Sequence, residues 1–280
     1  MASTTKLKRR FKTVSGLNSI FNAMQVITTV RMGQARQRHS IFSDYLAGIE
    51  QAACKMNFSP FLREQKAGEN VVILLSTNRG LCGGFNFNLF ANLQGLIGRI
   101  SAANNSCKVI AIGKKGDDFA RSRRLTTEEA HLKEDYAFAH FKQVTDKLLD
   151  DYRVGKISAV YVVFNRFKSV MRQDARAYRL LAPEVVFNSE DMNVLLEPDK
   201  YLLSEKTFRL LLAARLFHFY LESKLGEACA RMVTLKGAVE SSKEIIDSLS
   251  RDMNKMRQAS ITAELLELIG SSMGMYKGEE

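Results

Sequence analysis

The 280-residue chain contains only three prolines, Pro60, Pro183 and Pro198, and all three lie in its middle. A proline inside a helix costs about 3 kcal/mol. The two ends of the chain are therefore free to form long helices. No stretch approaches the ~20 consecutive apolar residues of a transmembrane helix. The charged start is not followed by the apolar core and cleavage site of a signal peptide. The sequence thus predicts neither a membrane span nor a signal peptide.

Cysteine and histidine are sparse and scattered, with four residues of each type. No two cysteines stand at C-x-x-C spacing, and no histidines form an H-E-x-x-H motif. These are the spacings from which a zinc site would be inferred. Isolated thiols are typical of a reducing compartment. We therefore expect no disulfide framework and no metal site in this chain.

Acidic residues are absent from the first 43 positions, although the same segment holds eight Lys and Arg residues. The whole chain has a formal net charge of +11, so most of the excess is concentrated at the N-terminal end. Such asymmetry indicates an acidic partner, which could be nucleic acid, an anionic membrane surface or an acidic protein.

The C-terminal third carries a seven-residue repeat of apolar side chains. Counted from Leu225, the a positions are Leu225, Met232, Val239, Ile246, Met253 and Ser260, and the d positions are Ala228, Leu235, Ser242, Leu249, Met256 and Ala263. Ten of these twelve residues are apolar, which predicts a coiled coil within a helix over about 206–271. We expect Ser242→Leu to be tolerated, because a buried hydroxyl can bond back to the carbonyl four residues earlier.

The N-terminal end predicts a second long helix, over about 5–57. One broad apolar face is formed by Leu7, Val14, Leu17, Ile20, Phe21, Met24, Ile27 and Ala35. Two long amphipathic helices at opposite ends of one chain pair most simply with each other, in antiparallel orientation.

The middle of the chain alternates short apolar runs with helical patterns. The strand-like runs are VVILLS, KVIAIG and ISAVYVVF, and VMRQDARAYRLL is predicted as an added edge strand. Helices are predicted over about 88–100, 115–121 and 138–152. Strands that alternate with helices favour a mostly parallel sheet. The predicted fold class is α/β, with a long antiparallel coiled coil of N- and C-terminal helices and an inserted Rossmann-like α/β domain.

The predicted fold divides the chain into three parts. Residues 1–58 form the N-terminal coiled-coil helix, 69–197 the central α/β domain, and 205–273 the C-terminal coiled-coil helix.

A glycine-rich loop, STNRGLCGGFNFN, follows the first strand-like run. A Walker-type loop would end in Gly-Lys-Ser/Thr, but here Gly83-Gly84 is followed by Phe85-Asn86. The glycine spacing also differs from the dinucleotide motif G-x-G-x-x-G. Glycines at a strand-to-helix turn serve equally as positive-φ residues and close-packing sites. The residues favour this structural role over phosphate binding.

Two other functions stay open on the residues alone. One is a nucleotide-cofactor enzyme built on the central α/β domain, with the glycine loop as its site. The other is a coiled-coil nucleic-acid-binding protein that uses the basic N-terminal segment.

Three blocks of sequence carry a family resemblance. The stretch SxxRGLCGGFNxN is similar to the S-D-R-G-L-C-G-G-F-N signature of the gamma subunit of F-type ATP synthases, with Asn78 in place of the aspartate. The run RQASITAELLELIG within 230–272 resembles the C-terminal helix of that family. AMQVITTVRM, over 23–32, stands where the family has A-M-x-M-V-A-x-x-K-M. The blocks occur in the family's order.

The resemblance implies a rotor shaft that has no catalytic activity and binds no cofactor. Its partners would be the alpha and beta subunits of the catalytic ring, the epsilon subunit and the ring of c subunits, with no nucleic acid. It would touch the membrane only through the complex, at the cytoplasmic face of the cell (inner) membrane, or on the matrix side if the chain is mitochondrial.

The resemblance also implies four torque or coupling contacts. Met24 matches a position that faces the moving lever of the beta subunit. Arg257 and Gln258 match an Arg-Gln pair that bonds to a loop of a catalytic subunit, and Arg231 matches an arginine with the same coupling role.

Overall fold

The computed structural model describes residues 2–56, 58, 61, 68–102, 106–125, 135–181, 197 and 199–276, without the side chains of 2–4, 200 and 270–276. Its elements are α1 Ala2–Ala53, β1 Glu69–Leu75, α2 Phe85–Ala102, β2 Cys107–Ile112, α3 Lys114–Ser122, α4 Phe138–Arg153, β3 Ile157–Ser169, β4 Arg172–Leu181 and α5 Lys200–Tyr276. Every predicted strand and helix is present. The C-terminal helix α5 begins before and ends after its predicted bounds. Within these described ranges, no helix is long and apolar enough to cross a membrane.

The four strands form one sheet in the order β2-β1-β3-β4. β1 is parallel to both β2 and β3, whereas β4 is antiparallel to β3 and lies at the edge. The predicted edge strand is therefore present. Six of the seven residues of β1 are buried, because both of its faces are covered. This burial explains why its sequence is a continuous apolar run without alternation.

Alternate residues of β1 enter two separate cores, as the two-residue period of a strand requires. Val71, Ile73 and Leu75 pack with apolar residues of α1, α4 and α5. Val72 and Leu74 pack with residues of α2 and α3 on the other face. Helices thus cover both faces of the sheet.

The chain divides into two compact units. The sheet unit runs from Thr28 to Val233, and the two-helix unit comprises the residues up to Ile27 together with those from Thr234 onward. Each unit contains a part of α1 and a part of α5.

In the two-helix unit, α5 turns its predicted a and d positions inward. The buried or half-buried positions are Leu235, Val239, Ser242, Ile246, Leu249, Met253 and Met256. The Ser242 hydroxyl oxygen lies 2.9 Å from both Asn18 Oδ1 and the Val239 carbonyl oxygen. The hydroxyl thus reaches across to α1, and its backbone partner is three residues earlier, where four were expected.

The inward face of α1 differs from the prediction. Leu17, Ile20 and Ile27 are 44%, 54% and 56% exposed, so their assignment to the apolar face was wrong. The half-buried positions are Leu7, Phe11, Val14, Asn18, Phe21 and Gln25, spaced alternately by four and three residues, with Ser15 and Met24 beside them. Because Asn18 and Gln25 are polar, a search for regularly spaced apolar residues does not detect this pattern. In α5, Ser260 and Ala263 are exposed, so burial of the repeat ends at Met256.

Candidate functional site

The glycine loop lies between β1 and α2 in the sheet unit and is closed by its own side chains. Leu81 and Gly83 have φ values of 60° and 55°, in the left-handed region that glycine adopts without strain. Thr77 Oγ1 donates a hydrogen bond to the Arg79 carbonyl oxygen at 2.8 Å. Asn86 Nδ2 donates in turn to Thr77 Oγ1 at 2.7 Å. The Phe-Asn pair after the glycines therefore ties the end of the loop to its start.

The start of the same loop holds the first turn of α3. The Gly116 amide donates to Ser76 Oγ at 2.8 Å, and the Lys114 amide donates to Asn78 Oδ1 at 2.9 Å. These amides belong to a helix start, where backbone donors lack partners inside the helix. Gly113 has a φ of 108°, and a Cβ there would lie 2.4 Å from the Ser76 carbonyl oxygen. Asn78 keeps the acceptor oxygen that an aspartate would supply.

The far side of the loop is fixed to α5. Arg231 Nε donates to the Gly80 carbonyl oxygen at 3.3 Å, and Arg231 Nη2 donates to Glu227 Oε1 at 2.7 Å. Ser223 Oγ donates to the Leu75 carbonyl oxygen at 3.3 Å. A glycine within a helix costs about 1 kcal/mol relative to alanine, but a Cβ on Gly226 would lie only 3.3 Å from the Phe85 ring. α5 thus packs closely on the loop.

Cys82 in this loop is a packing residue. Its side chain is buried, and burial raises the pKa of the thiol above its usual value, while the nearby Arg231 lowers it. A protonated, enclosed thiol is a poor nucleophile and a poor metal ligand.

The geometry therefore indicates that the loop has a structural role, which is to hold neighbouring elements together. Its side chains and carbonyls connect β1, α3 and α5. The structural role predicted for its glycines applies to Gly83, which needs a positive φ. It does not apply to Gly80 and Gly84, where an added Cβ would meet nothing closer than 3.8 Å.

The four predicted coupling residues fall into both units. Arg231 belongs to the sheet unit, and its side chain is only 14% exposed because it is paired with Glu227. Met24 is half-buried in the two-helix unit, whereas Arg257 and Gln258 are exposed there on α5. The structure thus joins Arg231 to the glycine loop and leaves Arg257 and Gln258 open to a partner.

Two residues of this site were missed from the sequence. Glu227 stands four residues before Arg231, a spacing at which oppositely charged side chains meet on a helix. That signal was available in the sequence. Ser223 gave no such signal, because its contact with β1 depends on the tertiary fold.

Comparison with known proteins supports one family. A family model described as ATP synthase matches residues 3–274. The chain is 27% identical to the ATP synthase gamma chain of Clostridium novyi over 97% of its own length and 98% of that relative. It is 28% identical to the gamma chain of Geotalea uraniireducens, with the same two coverages.

Solved structures share the fold. A chain of the Euglena gracilis mitochondrial ATP synthase complex that includes the c-ring matches with a TM-score of 0.73 and 19% identity, over 100% of this chain and 96% of that one. A rotor chain of the same organism's enzyme matches with a TM-score of 0.66 and 17% identity, over 93% and 99%. The resemblance inferred from the three sequence blocks is confirmed, and the chain belongs to the gamma-chain family of ATP synthases.

Proposed function

We propose that this chain is the central rotor shaft of an F-type ATP synthase. It would transmit rotation between the membrane c-ring and the catalytic alpha/beta ring, and so couple ion transport to ATP synthesis or hydrolysis. The observation that carries the proposal is the match to gamma chains over nearly the whole length of both proteins. As a gamma chain it is a non-catalytic subunit of a membrane-associated complex.

The two-helix unit supplies the shaft as an antiparallel coiled coil. The contact between Asn18 and Ser242 fixes one level of the pairing. In an antiparallel pair, Ala2 lies 16 residues before Asn18 and therefore stands opposite residue 258. Burial on α5 ends at Met256, where such a partner helix would end. A parallel pair would give no reason for burial to stop there.

The boundaries predicted from the sequence complete this proposal. A Rossmann-like α/β domain over 69–197 is inserted between coiled-coil helices over 1–58 and 205–273. The three parallel strands, with helices on both faces, support the Rossmann-like description.

The exposed residues at the end of α5 suit contacts with the stator. We call the covered a and d positions of α5 from Leu235 to Met256, with the half-buried face of α1, the seam. Arg257 and Gln258 lie past Met256, the last covered seam position on α5. Their side chains are therefore free to bond to a catalytic subunit. Met24 is half-buried, so it serves the seam and presents only part of its side chain to the beta subunit. Arg231 acts indirectly, by holding α5 to the glycine loop.

The remaining partners follow from the same role. We propose that the chain contacts alpha and beta subunits, an epsilon subunit and the c-ring, and binds no nucleic acid. It lies at the cytoplasmic face of the cell (inner) membrane, or on the matrix side if the chain is mitochondrial, and touches the membrane only through the complex.

The enzyme alternative gains no support from the glycine loop. The side chains that could face a nucleotide, those of Ser76, Thr77 and Asn86, are all hydrogen-bonded within the protein. The basic N-terminal segment does not favour nucleic acid over the acidic loops of a partner protein.

Rotation of a labelled chain tests the proposal. Cys54 is exposed, whereas Cys82 and Cys229 are buried. Burial also raises the pKa of the Cys107 thiol to about 11, so a thiol reagent at neutral pH should select Cys54. A bead attached there, in a complex reconstituted with alpha, beta and epsilon subunits, should rotate during ATP hydrolysis. Cys54→Ser is the matched control that should carry no bead. ATP hydrolysis with a stationary bead would contradict the proposal.

A further inference from the structure

A basic cleft lies in the sheet unit where α1, the glycine loop and α5 meet. Its volume is about 290 Å³. Five cationic side chains line it, together with two carboxylates, those of Asp135 and Glu227. The cations are Arg31, Arg38, Arg79, Lys224 and Arg231. Among the described residues of the lining, positive charges therefore outnumber negative charges by three.

Both carboxylates already have cationic partners. Asp135 Oδ2 is 2.5 Å from Arg38 Nη1. Glu227 is shared, since its oxygens lie 2.7 Å from Arg231 Nη2 and 3.3 Å from Lys224 Nζ. Among the residues that the structure describes, Arg31 takes part in no ion pair and in no side-chain hydrogen bond. The acidic residues in the described part of the chain therefore do not balance all the positive charge of the cleft.

The shape of the cleft limits the class of anion. Small residues, Ala35 and Ala228, form part of its wall and leave the centre open. At ~30 Å³ per water, the cleft has room for roughly ten waters, which suffices for one small oxyanion with part of its hydration shell. Clustered cations beside low-dielectric walls raise the local concentration of anions. Guanidinium groups bind phosphate oxygens through paired hydrogen bonds.

We propose that the basic cleft binds a small, multiply charged oxyanion of the phosphate and diphosphate class, with Arg31 as a principal donor. The anion would bridge α1, the glycine loop and α5, and so stabilise the sheet unit. The proposed site differs from a Walker-type phosphate loop. Its donors are side chains of the helices and of Arg79, and the backbone amides of the glycine loop take no part. It does not depend on the rotor function.

Calorimetric titration of the full chain with diphosphate tests the proposal. Arg31→Gln should weaken binding about tenfold, since it removes a charge-assisted contact, and Arg31→Lys should retain part of the affinity. The matched control is Arg36→Gln, which removes an exposed arginine of the same helix that does not line the cleft. Its affinity should equal that of the wild type. Circular dichroism of each variant verifies that it is folded.

Titration with phosphate, ADP and ATP identifies which part of the ligand the cleft recognises. Phosphate should bind more weakly than diphosphate, and ADP and ATP should bind through their phosphates with the same dependence on Arg31. An equal loss with Arg36→Gln would overturn the proposal, because it would indicate diffuse attraction to a basic surface. Nucleotide binding that is unaffected by Arg31→Gln would also overturn it. So would the absence of both a heat signal and a rise in melting temperature at millimolar diphosphate.

Discussion

The sheet unit and the two-helix unit bury their apolar residues in different ways. In the sheet unit, whole side chains disappear from solvent on both faces of the sheet, as Val72, Ile73 and Phe141 show with 0% exposure. In the two-helix unit a single seam is covered, and the positions from Ile246 to Met256 are mostly only half-buried. The first unit therefore resembles a globular core, whereas the second has few buried apolar contacts per residue and lower expected local stability.

The uncovered surface of the two-helix unit indicates where partners complete it. The part of α5 beyond Met256 exposes large apolar side chains, and these are Ile261, Leu265, Leu266, Leu268 and Ile269. Contiguous exposed apolar residues mark interaction sites in soluble proteins. A helix whose exposed apolar side chains are covered only in the assembled complex is consistent with a rotor inside a catalytic ring. The stability of this unit should accordingly be measured in the complex as well as in the isolated chain.

The largest expected effect contrasts the two cores. Ile73→Ala removes a fully buried side chain from the central strand and should lower the free energy of unfolding by about 2–5 kcal/mol. Ile246→Ala removes the same atoms from the half-buried seam and should cost less than half as much. Denaturant unfolding of both variants measures the difference. Equal losses would show that the seam is packed as tightly as the sheet.

Acid should act on the sheet unit and spare the two-helix unit. The rings of His39 and His218 lie 4.9 Å apart, centroid to centroid. His218 Nδ1 and His39 Nε2 are buried without hydrogen-bond partners within the described part of the chain. Burial and then the neighbouring His39 lower the pKa of His218 to about 4, against a smaller opposing effect of Glu50. Burial also lowers the pKa of His39. No histidine occurs in the two-helix unit.

Because the folded-state pKa of His218 lies below its unfolded value of 6.5, the unfolded chain binds the extra proton more readily. Stability is therefore lost as pH falls from about 6.5 towards 4. Hydrogen exchange at pH 7 and pH 5, each corrected for the intrinsic exchange rate at that pH, should show lower protection factors at pH 5 in α4 and in β1, with little change near Ser242. His218→Phe should flatten the response, and an unchanged pH dependence in that variant would contradict the assignment.

Sequence reasoning identified the elements that depend on local pattern. β1 was found because a strand covered on both faces is a continuous apolar run. The seam of α5 was found because its heptads are apolar from Leu235 to Met256, apart from Ser242. The inward face of α1 was only partly found, because Asn18 and Gln25 occupy two of its positions. Polar residues can be assigned to the seam only when the position of the opposite helix is known.

The site showed the same limit. The motif residues Ser76 and Asn78 could be recognised in the sequence, but their bonds to the first turn of α3 could not. Those bonds depend on how β1 and β2 are placed in the sheet. Likewise, Gly226 carries no sequence signal, since the need for glycine arises from its approach to Phe85.

A smaller effect is expected at the one serine of the buried seam. Ser242→Leu, expected from the sequence to be tolerated, should cost about 1 kcal/mol, because it removes the hydroxyl that reaches Asn18. Replacing both partners, with Asn18→Leu added, should recover most of the loss, since no buried polar group is then left without its partner. Thermal unfolding of the two single variants and the double variant measures the coupling. Ser248→Leu, on the exposed face, is the matched control, and additive effects would show that the two side chains do not interact.

The smallest effect on stability, and the sharpest on function, is expected at Arg257. This exposed residue lies beyond the seam, so Arg257→Ala should change the free energy of unfolding by no more than about 0.5 kcal/mol. A guanidinium that bonds a carboxylate of a catalytic subunit contributes roughly 1.5–3 kcal/mol. Its loss should therefore slow ATP hydrolysis and ion pumping severalfold in an assembled complex of normal stoichiometry. Arg251→Ala, another exposed arginine of α5, should leave both rates unchanged. Normal turnover with Arg257→Ala would mean that the coupling role does not apply to this residue, and loss of assembly would mean that its role is structural.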